Sequence, residues 1–97
     1  MANRNPIQQS KHDKKVEEEA SKYKAAGYDV WADIKNWGQP ALRNNHRPDV
    51  VAKKAPKEII IEVETEDSVE TDKDQIDAFK RYADARLNTE FKLIMAH

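Results

Sequence analysis

The sequence predicts an α/β fold in which a mixed sheet is flanked by helices. Three features indicate it: an amphipathic segment near the start, short apolar segments in the middle, and a second amphipathic segment followed by a last apolar strand. A strand that follows a helical crossover normally returns parallel to its sheet, so the last strand is expected to make the sheet mixed. The expected order is helix, strand, strand, strand, helix, strand.

The first helix is expected from Lys11 to Ala26, a stretch that contains neither glycine nor proline. Its inward positions recur at helical spacing and are His12, Val16, Ala20 and Tyr23. Ser10 is the expected N-cap, and Gly27 is the residue at which the helix is expected to end.

Three strands are expected in the middle of the chain. Tyr28 to Ile34 alternates between apolar and polar residues, which predicts a strand with one buried face. Asp49 to Ala52 and Glu58 to Thr65 are expected to pair as a hairpin, with a turn at residues 53–57. Residues 35–48 contain glycine, prolines and asparagines in no regular period, which predicts a long loop.

The second helix is expected to begin at Thr71 or Asp72 and to run to about Arg86. Its inward stripe is predicted to be Ile76, Phe79, Ala83 and Leu87. Phe91 to Ala96 is the expected last strand.

Length and composition limit what the protein can be. With 97 residues the chain has room for one domain, expected at residues 11–97 after a flexible lead-in at residues 1–10. The net charge of −1 excludes attachment to nucleic acid by bulk charge, although a local basic patch stays open. The absence of cysteine excludes disulfides, thiolate zinc sites and cysteine nucleophiles. No signal peptide is recognisable and no apolar run approaches the roughly 20 residues that cross a bilayer, so a cytoplasmic location is expected.

The third strand carries the most informative chemistry. Glu62 and Glu64 are two residues apart, which puts their side chains on the same face of the sheet. In a hairpin with the second strand, Asp49 would lie beside them. Carboxylates that close together raise one another's pKa unless a cation lies among them, and oxygen ligands suit Mg²⁺ or Mn²⁺. The alternative is a solvated sheet face that binds nothing.

These residues and the order of the secondary structure resemble the PD-(D/E)XK, or restriction-endonuclease-like, nucleases. Arg47-Pro48-Asp49 starts the second strand and Glu62-x-Glu64 lies in an apolar third strand. The resemblance covers about residues 11–97. The superfamily includes archaeal Holliday-junction resolvases and many restriction enzymes, and the stretch IEVETEDS also resembles small, uncharacterised prokaryotic members.

The resemblance implies a restriction-endonuclease-like core in which Pro48-Asp49 is the PD and Glu62 the (D/E). Glu64 departs from the pattern, because lysine is commonest at that position and is thought to help activate the attacking water. Some restriction enzymes of the superfamily carry glutamate there and remain active. The implied metal ligands are Asp49, Glu62 and Glu64, with Mg²⁺ or Mn²⁺ as cofactor.

Both helices offer supporting residues. Gln75 is expected in the first turn of the second helix, where several families of this kind place a glutamine at the edge of the active site. Alternatively, it caps Asp72. His12 faces inward near the end of the first helix where the superfamily often supplies a further acid, but a histidine there is more often a packing residue. Glu17 and Glu19 are the acidic candidates from that helix, with a solvated helix edge as the simpler interpretation.

The loop before Asp49 combines cations with an aromatic ring, which suits contact with DNA beside a metal. The candidate DNA-binding residues are Lys35, Trp37, Arg43, His46 and Arg47. The alternative is an ordinary surface loop whose Trp37 packs on the core. After the third strand, acidic residues are expected on a turn that points away from DNA.

The implied function is that of a metal-dependent DNA endonuclease or nuclease subunit that hydrolyses phosphodiester bonds, with Asp49, Glu62, Glu64 and Gln75 as catalytic residues. A catalytically inactive nuclease fold that binds DNA or a protein partner stays open, as does an interaction protein with exposed carboxylates. A homodimer is expected, because so small a sheet leaves edges and apolar surface uncovered. The expected interface residues are Phe79, Tyr82, Leu87 and Phe91.

Overall fold

A computed structural model describes residues 5–97 and contains a mixed four-stranded sheet with two helices. The helices are α1 (Pro6–Ala25) and α2 (Lys73–Asp84), and the strands are β1 (Asp29–Ala32), β2 (Val50–Lys54), β3 (Lys57–Glu64) and β4 (Thr89–Met95). The order α-β-β-β-α-β confirms the predicted fold class.

The strands lie in the order β1-β2-β3-β4. β1 pairs antiparallel with β2, β2 antiparallel with β3, and β3 parallel with β4, so the predicted hairpin and the predicted parallel return are both confirmed. Val50 pairs with Ile61, and Glu64 pairs with Met95. The end of β2 at Val50 therefore lies beside the ends of β3 and β4. We call this end of the molecule the carboxyl end of the sheet.

β3 is buried on both faces, which explains its run of apolar residues. Ile59, Ile61 and Val63 belong to the core cluster that contains Val16, Ala20 and Tyr23 of α1. Ile60 points to the other face, where its register partner Phe91 lies 6.1 Å from Phe79 of α2 between ring centroids. The two helices therefore cover opposite faces of the sheet, and a fully buried isoleucine contributes about 1.5–3 kcal/mol.

Helix α1 begins earlier than predicted. Asn5, not Ser10, is its N-cap, with Oδ1 accepting a hydrogen bond of 2.8 Å from the backbone N–H of Gln8, and Pro6 occupies the first turn. Residues 6–10 of the expected lead-in are therefore the first residues of α1, and its residues 1–4 lie outside the described residues. The predicted inward face of α1 is buried as expected.

Other boundaries also differ from the predictions, and β4 starts at Thr89 instead of Phe91. β1 is limited to Asp29–Ala32, and the hairpin turn is tighter than expected because β2 extends to Lys54 and β3 starts at Lys57. The predicted inward stripe of α2 includes Leu87, but the helix ends at Asp84 and Leu87 is 98% exposed. No helix within residues 5–97 is long and apolar enough to span a bilayer.

Candidate metal centre

Two carboxylates of β3 form the centre of a buried acidic cluster. Strand alternation places Glu62 and Glu64 on the face opposite the α1 core, and they are 2% and 0% exposed. The alternative of a solvated sheet face is therefore wrong. Burying two carboxylates is costly unless their charge is neutralised or paired.

Asp49 precedes β2 and lies beside Glu62, as the predicted hairpin requires. Its Oδ2 accepts a hydrogen bond of 2.8 Å from the backbone N–H of Val63, and its own backbone N–H donates to Glu62 Oε1 at 3.3 Å. From α1, the buried His12 brings Nε2 to 3.2 Å from Asp49 Oδ2, while its Nδ1 is 3.0 Å from Oδ1 of Asp13. These contacts fix the orientation of the Asp49 carboxylate.

Asp72 adds a fourth carboxylate to the cluster. It is the N-cap residue of α2 and is 5% exposed, but its side chain does not cap the helix. Among residues 5–97, Glu62, Glu64 and Asp72 form the group in which one oxygen from each residue lies within 4.8 Å of the others. The most compact acidic group thus contains Asp72 in addition to the two predicted glutamates, and Asp49 lies directly beside it.

Neutral side chains hold the two glutamates in place. Gln75 Nε2 donates to Glu62 Oε2, so Gln75 contacts the acidic cluster instead of capping Asp72. Ser68 Oγ donates to Glu64 Oε2 at 2.8 Å, and the backbone N–H of Thr65 donates to Ser68 Oγ at 3.0 Å. Both Thr65 and Ser68 are fully buried. The segment between β3 and α2 therefore determines where the Glu64 carboxylate points.

The electrostatics of the cluster favour the protonated form of Glu62 when no cation is bound. Burial raises the pKa of Glu62 to about 10, the charges of Asp49 and Glu64 raise it too, and the hydrogen bond from Gln75 lowers it. A divalent cation would reverse this preference, because it stabilises the ionised carboxylates.

The donor set fits a hard divalent cation. Carboxylate oxygens are the ligands that Mg²⁺ and Mn²⁺ prefer, and three of them already lie within reach of one ion. Glu62, Glu64 and Asp72 could hold the ion directly, and Asp49 adds negative charge beside Glu62.

Comparison with known proteins assigns the family. Residues 5–97 match the REase_AHJR-like family model, which describes a restriction-endonuclease-like family. The chain belongs to the REase_AHJR-like family. Searches of curated proteins and of solved structures gave no match. Family membership extends over the whole described chain, so the predicted resemblance to restriction-endonuclease-like proteins is confirmed at that level.

In this REase_AHJR-like chain, two of the candidate DNA-binding residues are engaged in the fold. Arg43 is 8% exposed, and its Nη2 is 2.6 Å from Oε1 of Glu58. Glu58 lies about 13 Å along β3 from Glu62, since a strand rises about 3.3 Å per residue. Trp37 packs against the α1 core, and its indole N–H donates to Glu17 at 2.5 Å. These contacts match the alternative of a surface loop whose tryptophan covers the core.

The other three loop candidates differ in exposure. Arg47 donates through Nη1 to the backbone carbonyl of Pro40, and the half-buried His46 ring is 6.1 Å from the Phe79 ring between centroids. Lys35 is exposed. The Arg43 to His46 turn is held over α2 by Asn44, whose Nδ2 donates to the backbone carbonyl of Ala78 at 3.0 Å.

Asp72 and Ser68 belong to the site but are not among the predicted site residues. The sequence predicts Asp72 only as a helix cap. One signal could have found Asp72: an acidic residue at the start of the helix that directly follows the acidic strand. Glu17 and Glu19, the acidic candidates from α1, are used elsewhere, because Glu17 accepts from Trp37 and Glu19 Oε1 from Lys22 at 3.0 Å.

Proposed function

We propose that this protein is a divalent-metal-dependent nuclease that hydrolyses phosphodiester bonds in DNA, with its centre at the buried acidic cluster. The observation that carries the proposal is the convergence of Glu62, Glu64 and Asp72 at the carboxyl end of the sheet, with Asp49 beside them, in a chain of the REase_AHJR-like family. The order Pro48-Asp49, Glu62, Glu64 supports membership of the PD-(D/E)XK group within that fold.

Each residue has a separate task in this proposal. Glu62 is a direct ligand, Glu64 is a ligand or the base that accepts a proton from a water, Asp72 completes the oxygen set, and Asp49 contributes charge and orientation. Gln75 fixes one oxygen of Glu62, and Ser68 fixes one oxygen of Glu64. When bound, Mg²⁺ or Mn²⁺ supplies the positive charge that polarises a phosphodiester and lowers the pKa of a bound water.

Whether the site can cleave DNA depends on what Glu64 contributes to it. It stands where a lysine is commonest in the PD-(D/E)XK pattern, so the usual cationic side chain is missing from that position. Its buried carboxylate, bound by Ser68, can serve as a ligand or can accept a proton from a water. A protein that binds metal and DNA without cleaving DNA would be the inactive alternative.

The test is metal binding and DNA cleavage by wild type, Glu62→Gln and a matched Glu66→Gln control. Glu66 is exposed, so the control changes the same charge four residues away without touching the cluster. Wild type and the control should bind Mn²⁺ in calorimetry and cleave supercoiled, linear or branched DNA. Glu62→Gln should lower metal affinity at least about tenfold and abolish cleavage.

Two outcomes would contradict the proposal. No divalent binding to wild type at millimolar metal would remove the metal centre. Metal binding without cleavage of any DNA form in Mg²⁺ or Mn²⁺ would leave the inactive nuclease fold as the better description.

A further inference from the structure

A basic groove lies between α1 and the end of β4. Its lining residues are Lys11, Lys14, Lys15, Glu18, Met95, Ala96 and His97, and its volume is about 340 Å³. We call it the lysine groove. The lysines recur at helical spacing, so their Cα atoms fall within about 6 Å along one side of α1. Such a row can contact neighbouring negative groups on an extended partner.

The lysine groove adjoins the acidic cluster. Its floor includes Met95, which pairs with Glu64 in the parallel register, and Ala96, whose backbone N–H donates to the Glu64 carbonyl at 2.8 Å. Adjacent strands are about 4.8 Å apart, so this floor begins one strand away from Glu64. On α1, His12 follows Lys11 directly and contacts Asp49. The carboxylates of Glu62 and Glu64 lie on the face of the sheet opposite α1, so a strand bound at the cluster would reach the groove by passing Asp49 and His12 at the end of the sheet.

Charge is distributed unevenly on the two sides of the cluster. The segment between β3 and α2 exposes Glu66, Asp67 and Glu70 on the α2 side, where a polyanion would be repelled. On the α1 side, Lys11 and Lys14 are exposed, and Lys15 Nζ lies 3.4 Å from Glu18 Oε2 and 3.9 Å from Glu19 Oε2. Asp13 and Glu18 are exposed there too, so the three lysines leave a small basic excess on this side. The net charge of the chain is only −1, so this local separation, and not bulk charge, would direct an anionic strand.

We infer that the lysine groove binds the sugar-phosphate backbone of the nucleic-acid strand whose phosphodiester lies at the acidic cluster. The inference rests on the proposed nuclease function and names a surface other than the loop before Asp49. Lys11 and Lys14 contact phosphates, and because such contacts release counterions, they make binding depend on salt without sequence preference. Arg43 and Trp37 of the loop are already engaged in the fold.

The experiment measures binding of a fluorescein-labelled DNA duplex by anisotropy over a series of salt concentrations, in Ca²⁺. The variant Lys11→Gln/Lys14→Gln is compared with the control Lys57→Gln/Lys80→Gln. All four lysines are exposed, but Lys57 starts β3 at the opposite end of the sheet and Lys80 lies on α2. Both variants therefore lose the same charge at different places.

Removal of the groove lysines should weaken duplex binding about tenfold at low salt. It should also reduce the slope of log K against log salt by about two, since each phosphate contact contributes about 0.9. The control should bind like wild type. Equal losses in both variants, no loss in either, or no duplex binding by wild type would overturn the inference.

A cleavage assay in Mn²⁺ keeps this inference separate from the proposed function. If wild type cleaves DNA and Lys11→Gln/Lys14→Gln binds the duplex as wild type does, the inferred role of the lysine groove is wrong and the proposed nuclease function stands. Groove-dependent binding without any wild-type cleavage would support the groove and contradict only the nuclease activity.

Discussion

At the scale of single residues, protonation of Glu62 makes the stability of the folded protein depend on pH. Its ordinary pKa of 4.5 is raised to about 10, with burial as the largest cause. Between these two values, the folded state holds a proton that the unfolded state has lost. The resulting stabilisation is complete below about pH 4.5 and is lost as pH rises toward about pH 10.

We therefore expect the metal-free protein to lose stability as pH rises from about 6 to about 9, with a contribution from Glu62 of up to about 1.4 kcal/mol per pH unit. Urea denaturation in the presence of a chelator measures this slope. Glu62→Gln should flatten it, whereas Glu66→Gln, at an exposed position, should leave it unchanged. Mn²⁺ should also flatten it by keeping the carboxylate ionised. A wild-type slope equal to that of Glu62→Gln would show that Glu62 titrates normally.

Part of the cluster could be predicted from sequence because it depends on regular geometry. Alternation puts Glu62 and Glu64 on one face, and hairpin pairing brings Asp49 to them. The position of Asp72 depends on the path of segment 65–72, whose sequence follows neither helical nor strand periodicity. The same holds for Arg43, whose charge suggested a phosphate contact but whose guanidinium pairs with Glu58.

At the scale of secondary structure, the segment 65–72 between β3 and α2 holds the Glu64 carboxylate in place by hydrogen bonds. Ser68 Oγ accepts from the Thr65 backbone N–H at 3.0 Å and donates to Glu64 Oε2 at 2.8 Å. Thr65 Oγ1 donates to Asp67 Oδ1 in the same segment. Because Ser68 and Glu64 are fully buried, water cannot easily replace a lost hydroxyl.

Ser68→Ala should therefore lower the free energy of unfolding by about 1–3 kcal/mol, the cost of leaving buried polar groups without a partner. Chemical denaturation measures the change. Ser21→Ala is the matched control, because Ser21 is exposed on α1 and its removal should change stability by no more than about 0.5 kcal/mol. If Ser68→Ala lowers the free energy of unfolding no more than the control does, the hydrogen bond from Ser68 to Glu64 does not stabilise the fold.

The start of α1 shows why helix boundaries were harder to predict than helices. Pro6 suggested an irregular lead-in, but proline is well suited to the first turn of a helix, where its missing N–H has no partner to lose. Asn5 then supplies the cap. The dipeptide Asn5-Pro6 was therefore a start signal, and Ser10 became an interior residue.

At the scale of the whole molecule, both helices begin at the carboxyl end of the sheet. Near its start α1 brings His12 to Asp49, and α2 starts at Asp72. The positive dipole end of α2 therefore lies at the acidic cluster and favours negative charge there, whereas the first turn of α1 lies about 9 Å along the helix from His12.

The homodimer predicted from size stays a prediction, with a smaller interface than expected. Phe79 is fully buried inside one chain and cannot contribute, and the guanidinium of Arg86 lies 3.5 Å above the Tyr82 ring. Leu87 is 98% exposed and Leu93 on the outer strand β4 is 39% exposed. Leu87 precedes β4, at the opposite end of that strand from the lysine groove, so pairing there would leave the groove open.

We expect analytical ultracentrifugation at micromolar concentration to show a two-chain species for wild type. Leu87→Glu should convert it to a single chain, because a charge would then be buried in an apolar interface without a partner. Leu42→Glu is the control, since Leu42 is also exposed but lies in the loop between β1 and β2. A wild type that sediments as one chain would contradict the dimer, and dissociation by Leu42→Glu but not by Leu87→Glu would move the interface to the loop. A dimer would carry two acidic clusters related by a twofold axis, which matches the symmetry of the two strands of a duplex.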